Sequence, residues 1–62
     1  MIELTSYISG EVVIVNRKHI TFISAEYDDE AEKDYSHVVT LGTGSVNVRE
    51  SIEEILKKIS EG

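Results

Sequence analysis

The sequence predicts an α+β fold: a small antiparallel β-sheet of about four to five strands with one C-terminal amphipathic helix packed on it. Three observations predict it. Short runs of alternating apolar and polar residues recur along the chain, the pattern of half-buried strands. Glycines fall between those runs, at Gly10, Gly42 and Gly44. Only the last stretch changes period, where Ile52, Ile55, Leu56 and Ile59 mark one face of a helix.

The helix carries the clearest local signals. Ser51 is a good N-cap, because its hydroxyl accepts from a first-turn N–H that has no partner inside the helix. Glu54 stands three residues on and completes a capping box. Glu50, Glu53 and Glu54 put negative charge at the positive end of the helix dipole, and Lys57 and Lys58 put positive charge near the other. Gly62 supplies a stop. A helix this short is marginal alone in water, so its apolar face must dock, and the preceding hairpin is the expected platform.

That hairpin spans residues 38–49. Val38-Val39-Thr40-Leu41 forms one strand and Ser45-Val46-Asn47-Val48-Arg49 the next. Gly42-Thr43-Gly44 joins them, with two glycines to supply the positive φ of a tight turn. A phosphate-cradling loop is not indicated, since that needs strand, glycine turn and helix in succession.

Upstream, Ile2-Glu3-Leu4-Thr5 reads as a first strand, with Tyr7 and Ile8 extending it before Ser9-Gly10 turns the chain. Val12 to Val15 is a continuous apolar run, expected to be covered on both faces, by the helix on one and by a second subunit on the other. Asn16-Arg17-Lys18 is a tight connection. The next strand runs from His19 to Tyr27, with Ile20 and Phe22 on one face and Ile23, Ala25 and Tyr27 on the other. Apolar groups on both faces imply a bulge or two-sided burial. Residues 26–34 hold six of the 12 acids and read as a solvated loop or short helical turn.

The 62 residues make one small domain, in which a single core leaves stability marginal. With no cysteine, disulfides and thiolate chemistry are excluded. Two histidines do not make a protein zinc site, so neither metal nor cofactor is expected. Self-association is therefore the expected source of extra burial. Six Lys and Arg against 12 Asp and Glu give a net charge of −6, which excludes general nucleic-acid binding and attraction to anionic membranes. No run is long enough to span a bilayer, and no basic, apolar leader opens the chain. A cytoplasmic protein is the expectation.

No catalytic constellation stands out. His37 and His19 lack an evident nucleophile or orienting group, so an enzyme is not expected. Two charged groupings remain. Arg17, Lys18 and His19 form the one cationic cluster, and with Arg49 they would capture a small anion such as a nucleotide between subunits. Their plainer role is a charged turn that keeps an edge soluble, with Arg49 paired to Glu50. Asp28, Asp29, Glu30, Glu32 and Asp34 would offer an acidic face to a basic partner, as a nucleic-acid mimic does, or simply be solvated. They lack the glycine and terminal glutamate of a calcium loop. Tyr7, Tyr27 and Tyr35 suit a core edge or subunit contact, or the stacking of a flat ligand.

Taken together, Ile2-Glu3-Leu4-Thr5, Val15-Asn16, Ile20 with Ile23, Val38 to Leu41 with Gly44, and Val48-Arg49-Glu50-Ser51-Ile52-Glu53-Glu54-Ile55 resemble the small FlbD-type flagellar and swarming-motility proteins. The resemblance covers nearly the whole chain. It implies a non-enzymatic, regulatory interaction module of motility type and carries over no catalytic or ligand residue. Chains of this kind are also common in phage and other mobile elements, which admits an inhibitor that sequesters a ligand.

Overall fold

The computed structural model describes residues 1–42 and 44–61. Thr43 of the glycine turn and the stop assigned to Gly62 lie outside them. In chain order come β1 (Ile2–Thr5), β2 (Val12–Val15), a 3₁₀ turn (Arg17–His19), β3 (Ile20–Asp28), β4 (Lys33–Thr40), β5 (Gly44–Val48) and α1 (Ile52–Glu61). The α+β class holds, but the strands form two antiparallel sheets, β1-β2 and β3-β4-β5.

One point joins the sheets. Ser6, just past β1, bridges Val48 of β5. Flanking it, the Tyr7 amide donates to the Asn47 carbonyl at 2.8 Å and the Arg49 amide to the Thr5 carbonyl at 2.9 Å. The strands therefore follow one another in the order β2-β1-β5-β4-β3. Among the described residues, this leaves β2 and β3 with one unpaired edge each.

The core draws one or two residues from nearly every element. Ile2 and Leu4 of β1, Val15 of β2, Val38 of β4, Val48 of β5 and Ile55 of α1 are buried together. Val13, Ile20, Ile23, Val46 and Ile59 pack around them. Period-two alternation explains the choice on β1 and β2: Ile2 pairs with Val15 and Leu4 with Val13, all facing inward. The intervening Val12 and Ile14 face outward, 64 % and 58 % exposed. The two-sided cover expected for residues 12–15 is thus absent within the chain, where only one face meets the core.

On β3 a bulge decides the faces. Ile20 pairs with Thr40 but Phe22 pairs with Val39, so Thr21 is the extra residue. The shift in phase turns Ile20 and Ile23 toward the core together and leaves Phe22 outside, 58 % exposed. That corrects the expected sharing of a face by Ile20 and Phe22. The acidic stretch is also more ordered than a solvated loop. Tyr27 pairs with Asp34 and Asp28 with Lys33, so the turn shrinks to residues 29–32. Leu41 lies in the following turn, beyond the end of β4, and is exposed. Gly42 and Gly44 do take the positive φ, at 79° and 86°.

The capping box forms as the spacing requires. The Glu54 amide donates to Ser51 Oγ and the Ser51 amide to Glu54 Oε1, each at 3.1 Å. The helix lies over β1 and β3 rather than squarely on the β4–β5 hairpin, although Val38 and Val48 share the cluster that holds Ile55. Its leader is anchored by Glu50, whose carboxylate accepts from the Thr5 amide at 2.8 Å and the Thr5 hydroxyl at 2.9 Å. Ser36, buried on β4, donates to the Glu50 carbonyl at 2.7 Å.

Candidate functional site

The two charged groupings lie at opposite ends of β3. Arg17, Lys18 and His19 make the 3₁₀ turn that leads into it, formed because Asn16 Oδ1 accepts from the Lys18 amide at 3.0 Å. The acidic residues make the turn that leaves it. A strand of nine residues separates them, about 30 Å at the usual rise.

At the basic end, Arg17 has a structural partner. Its Nη1 donates to the Ile59 carbonyl at 2.8 Å, which satisfies a carbonyl in the last turn of α1 and sets positive charge at the negative end of the dipole. Lys18 and His19 are exposed. His19 borders an open cleft of about 390 Å³ whose lining includes Val13, Ile14, Val15 and Val46 beside Asn16, Thr40 and Ser45.

Arg49 belongs elsewhere. Its Nε donates to the Tyr7 carbonyl at 3.3 Å, and its guanidinium packs against Gly10, where a Cβ would stand 3.3 Å from it. Gly10 has a φ of 77°, so both conformation and space favour glycine there. Arg49 and Glu50 therefore go to different partners instead of to each other. Among the described residues, the clefts that Arg49 borders hold neither Lys18 nor His19: one is lined with Tyr7, Ile8, Lys33 and Asp34, the other with Tyr35 and Ser51.

At the acidic end, Asp28 differs from its neighbours. Its Oδ1 accepts from the Glu30 and Ala31 amides at 3.0 and 3.2 Å and so shapes the turn. Its Oδ2 accepts from the Tyr7 hydroxyl at 2.6 Å. These hydrogen bonds, Tyr7 first, hold the Asp28 carboxyl below its ordinary pKa. The same bond to Asp28, with a smaller contribution from desolvation, raises the Tyr7 phenol to about 12. Tyr7 also stacks on Tyr35, ring centroids 4.6 Å apart and planes 21° from parallel. Asp29, Glu30, Glu32 and Asp34 project from this anchored base and are exposed. Glu32 adopts a left-handed φ of 54° to close the turn.

Between these ends runs the free edge of β3. Its central residues, Thr21 to Ala25, carry no charge, and the chain has no proline. Phe22 and Tyr27 are more than half exposed on its two faces. His37, on the next strand, shares a 2.7 Å hydrogen bond with Asn47 directly opposite on β5. Among the described residues no three His, Asp or Glu side chains converge as metal ligands. No helix there is long and apolar enough to cross a membrane.

No family model, no curated protein and no solved structure matches this chain.

The sequence pointed to the charges but not to the edge between them. Which strand ends a sheet depends on long-range pairing, here the Ser6–Val48 bridge, and no local pattern encodes it. The Tyr7–Asp28 contact links residues 21 apart and left no periodic trace.

Proposed function

We propose that this chain is a non-enzymatic interaction module that works as a homo-oligomer in the cytoplasm. The observation that carries the proposal is the pair of unpaired edge strands, β2 and β3, each with large apolar side chains exposed beside it. An unpaired strand edge is a ready template for another chain, and on β3 the run from Thr21 to Ala25 carries none of the charges that commonly blunt such an edge. The resemblance to FlbD-type proteins supports a regulatory role of motility type, exerted through protein contacts. Anion capture between subunits has less support, because Arg17 is bound to the helix end and Arg49 to the carbonyl of Tyr7.

Sedimentation velocity across a range of micromolar concentrations, with native mass spectrometry of gently purified protein, tests the proposal. A defined assembly without small-molecule mass is the expected result. A bare monomer at every concentration, with no protein co-purifying, would overturn it; a retained ligand of a few hundred daltons would favour sequestration instead.

A further inference from the structure

Resting on that reading of the chain as a self-associating module, we infer that the subunit contact is the free edge of β3, paired antiparallel with the β3 of a second copy about a two-fold axis near Ala25. Edge-to-edge contact between identical strands about a two-fold axis is self-complementary and closes at two copies. Three features of β3 select it over β2.

Length is the first. β3 has nine residues and β2 four, so β3 offers more than twice the run of backbone groups to pair. Its span of about 30 Å nearly matches the 32 Å long axis of the molecule.

Charge is the second. A chain of net charge −6 repels its own copies, so a stable contact must be one where the local charges are complementary. β3 is flanked by Lys18 and His19 at its start and by Asp29, Glu30 and Glu32 after its end. Antiparallel pairing sets the basic end of each copy beside the acidic turn of the other, twice over. Parallel pairing would set the two acidic turns side by side. Lys18, His19, Asp29, Glu30 and Glu32 are all exposed, so none needs to be withdrawn from the fold.

Side-chain fit is the third. With the axis at Ala25, the smallest side chain of the strand meets its own copy, and Ile23 of one copy lies opposite Tyr27 of its mate. Directly opposite residues of antiparallel strands sit about 4.5–5.5 Å apart, close enough for such an aromatic–aliphatic pair to pack. Tyr27, 55 % exposed in the single chain, would be covered.

Cysteine cross-linking tests the geometry in a chain that has no cysteine of its own. Two cysteines opposite each other at the axis fall within disulfide reach. Ala25→Cys is therefore expected to oxidise to a covalent dimer under conditions where Ile14→Cys, exposed on the other edge strand, does not. In a second arm, Lys18→Glu should weaken dimerisation about tenfold or more at low salt, because two attractive contacts become repulsive. The double variant Lys18→Glu with Glu30→Lys should restore it. An oligomeric wild type that cross-links through Ile14→Cys but not Ala25→Cys, or that is indifferent to Lys18→Glu, overturns this contact and leaves the interaction module standing. A wild type that is monomeric at every concentration, with no protein co-purifying, removes both.

Discussion

At the scale of single residues, the contact that most shapes the acidic end is the 2.6 Å hydrogen bond from the Tyr7 hydroxyl to Asp28. A phenol donating to a carboxylate is a charge-assisted bond, and it stabilises the protonated phenol and the ionised acid together. The pH dependence follows with a definite sign. Tyr7 rises from 10.0 to about 12, so the folded chain keeps a proton that the unfolded chain would release, and this contribution is full below pH 10 and lost as pH climbs toward 12. Asp28 moves down, so its contribution is present above the ordinary aspartate range and is lost on acidification. Tyr7→Phe should remove the high-pH component from an ultraviolet tyrosinate titration and let the Asp28 carboxyl, followed by NMR, titrate at higher pH. A variant that still showed a phenol titrating near 12 would mean that the shift does not arise at Tyr7. The sequence marked both Tyr7 and Asp28 as candidates but not their pairing.

At the scale of elements, α1 shows what local sequence can and cannot encode. The capping box was legible because both its partners lie within four residues, and the geometry of Ser51 and Glu54 is the one their spacing demands. Ser51→Ala should therefore lower stability by about 1 kcal/mol, measured by urea unfolding, with the helix frayed at its start rather than lost. An unchanged midpoint would show that Glu50, tied to Thr5, already fixes the leader. The helix's other end is held by Arg17, 42 residues away, and no periodicity announces such a bond. The same division explains β3. Propensity argued for a loop after Tyr27, since Asp and Glu are depleted from strands. Pairing of Asp28 with Lys33, together with the carboxylate bonds in the turn, nevertheless carries the strand one residue further. Local composition lost to cross-strand contact there, and the faces of β3 were misassigned because one extra residue, Thr21, reverses the alternation after it.

At the scale of the whole molecule, the fold class was legible because alternation, glycine spacing and the change of period all point to it. The sheet order was not, and with it went the identity of the free edges on which the proposed association depends. The energetics sharpen what association would do. Among the described residues six buried apolar side chains form the core, and at roughly 0.05–0.15 kcal/mol per residue a chain of 62 would hold about 3–9 kcal/mol in all. Leu4, 1 % exposed at the centre of that core, would cost about 2–5 kcal/mol if cut to alanine, a large share of the total. Subunits that bind only when folded stabilise one another by mass action, so the loss should depend on concentration. Thermal unfolding of the wild type is accordingly expected to move to higher temperature as the protein is concentrated. Leu4→Ala should be largely unfolded when dilute and regain strand and helix signal in circular dichroism when concentrated. A melting temperature that stays flat across a hundredfold range, for both proteins, would mean that the exposed faces of β2 and β3 contribute nothing to stability through self-contact, and that each copy folds on its own small core.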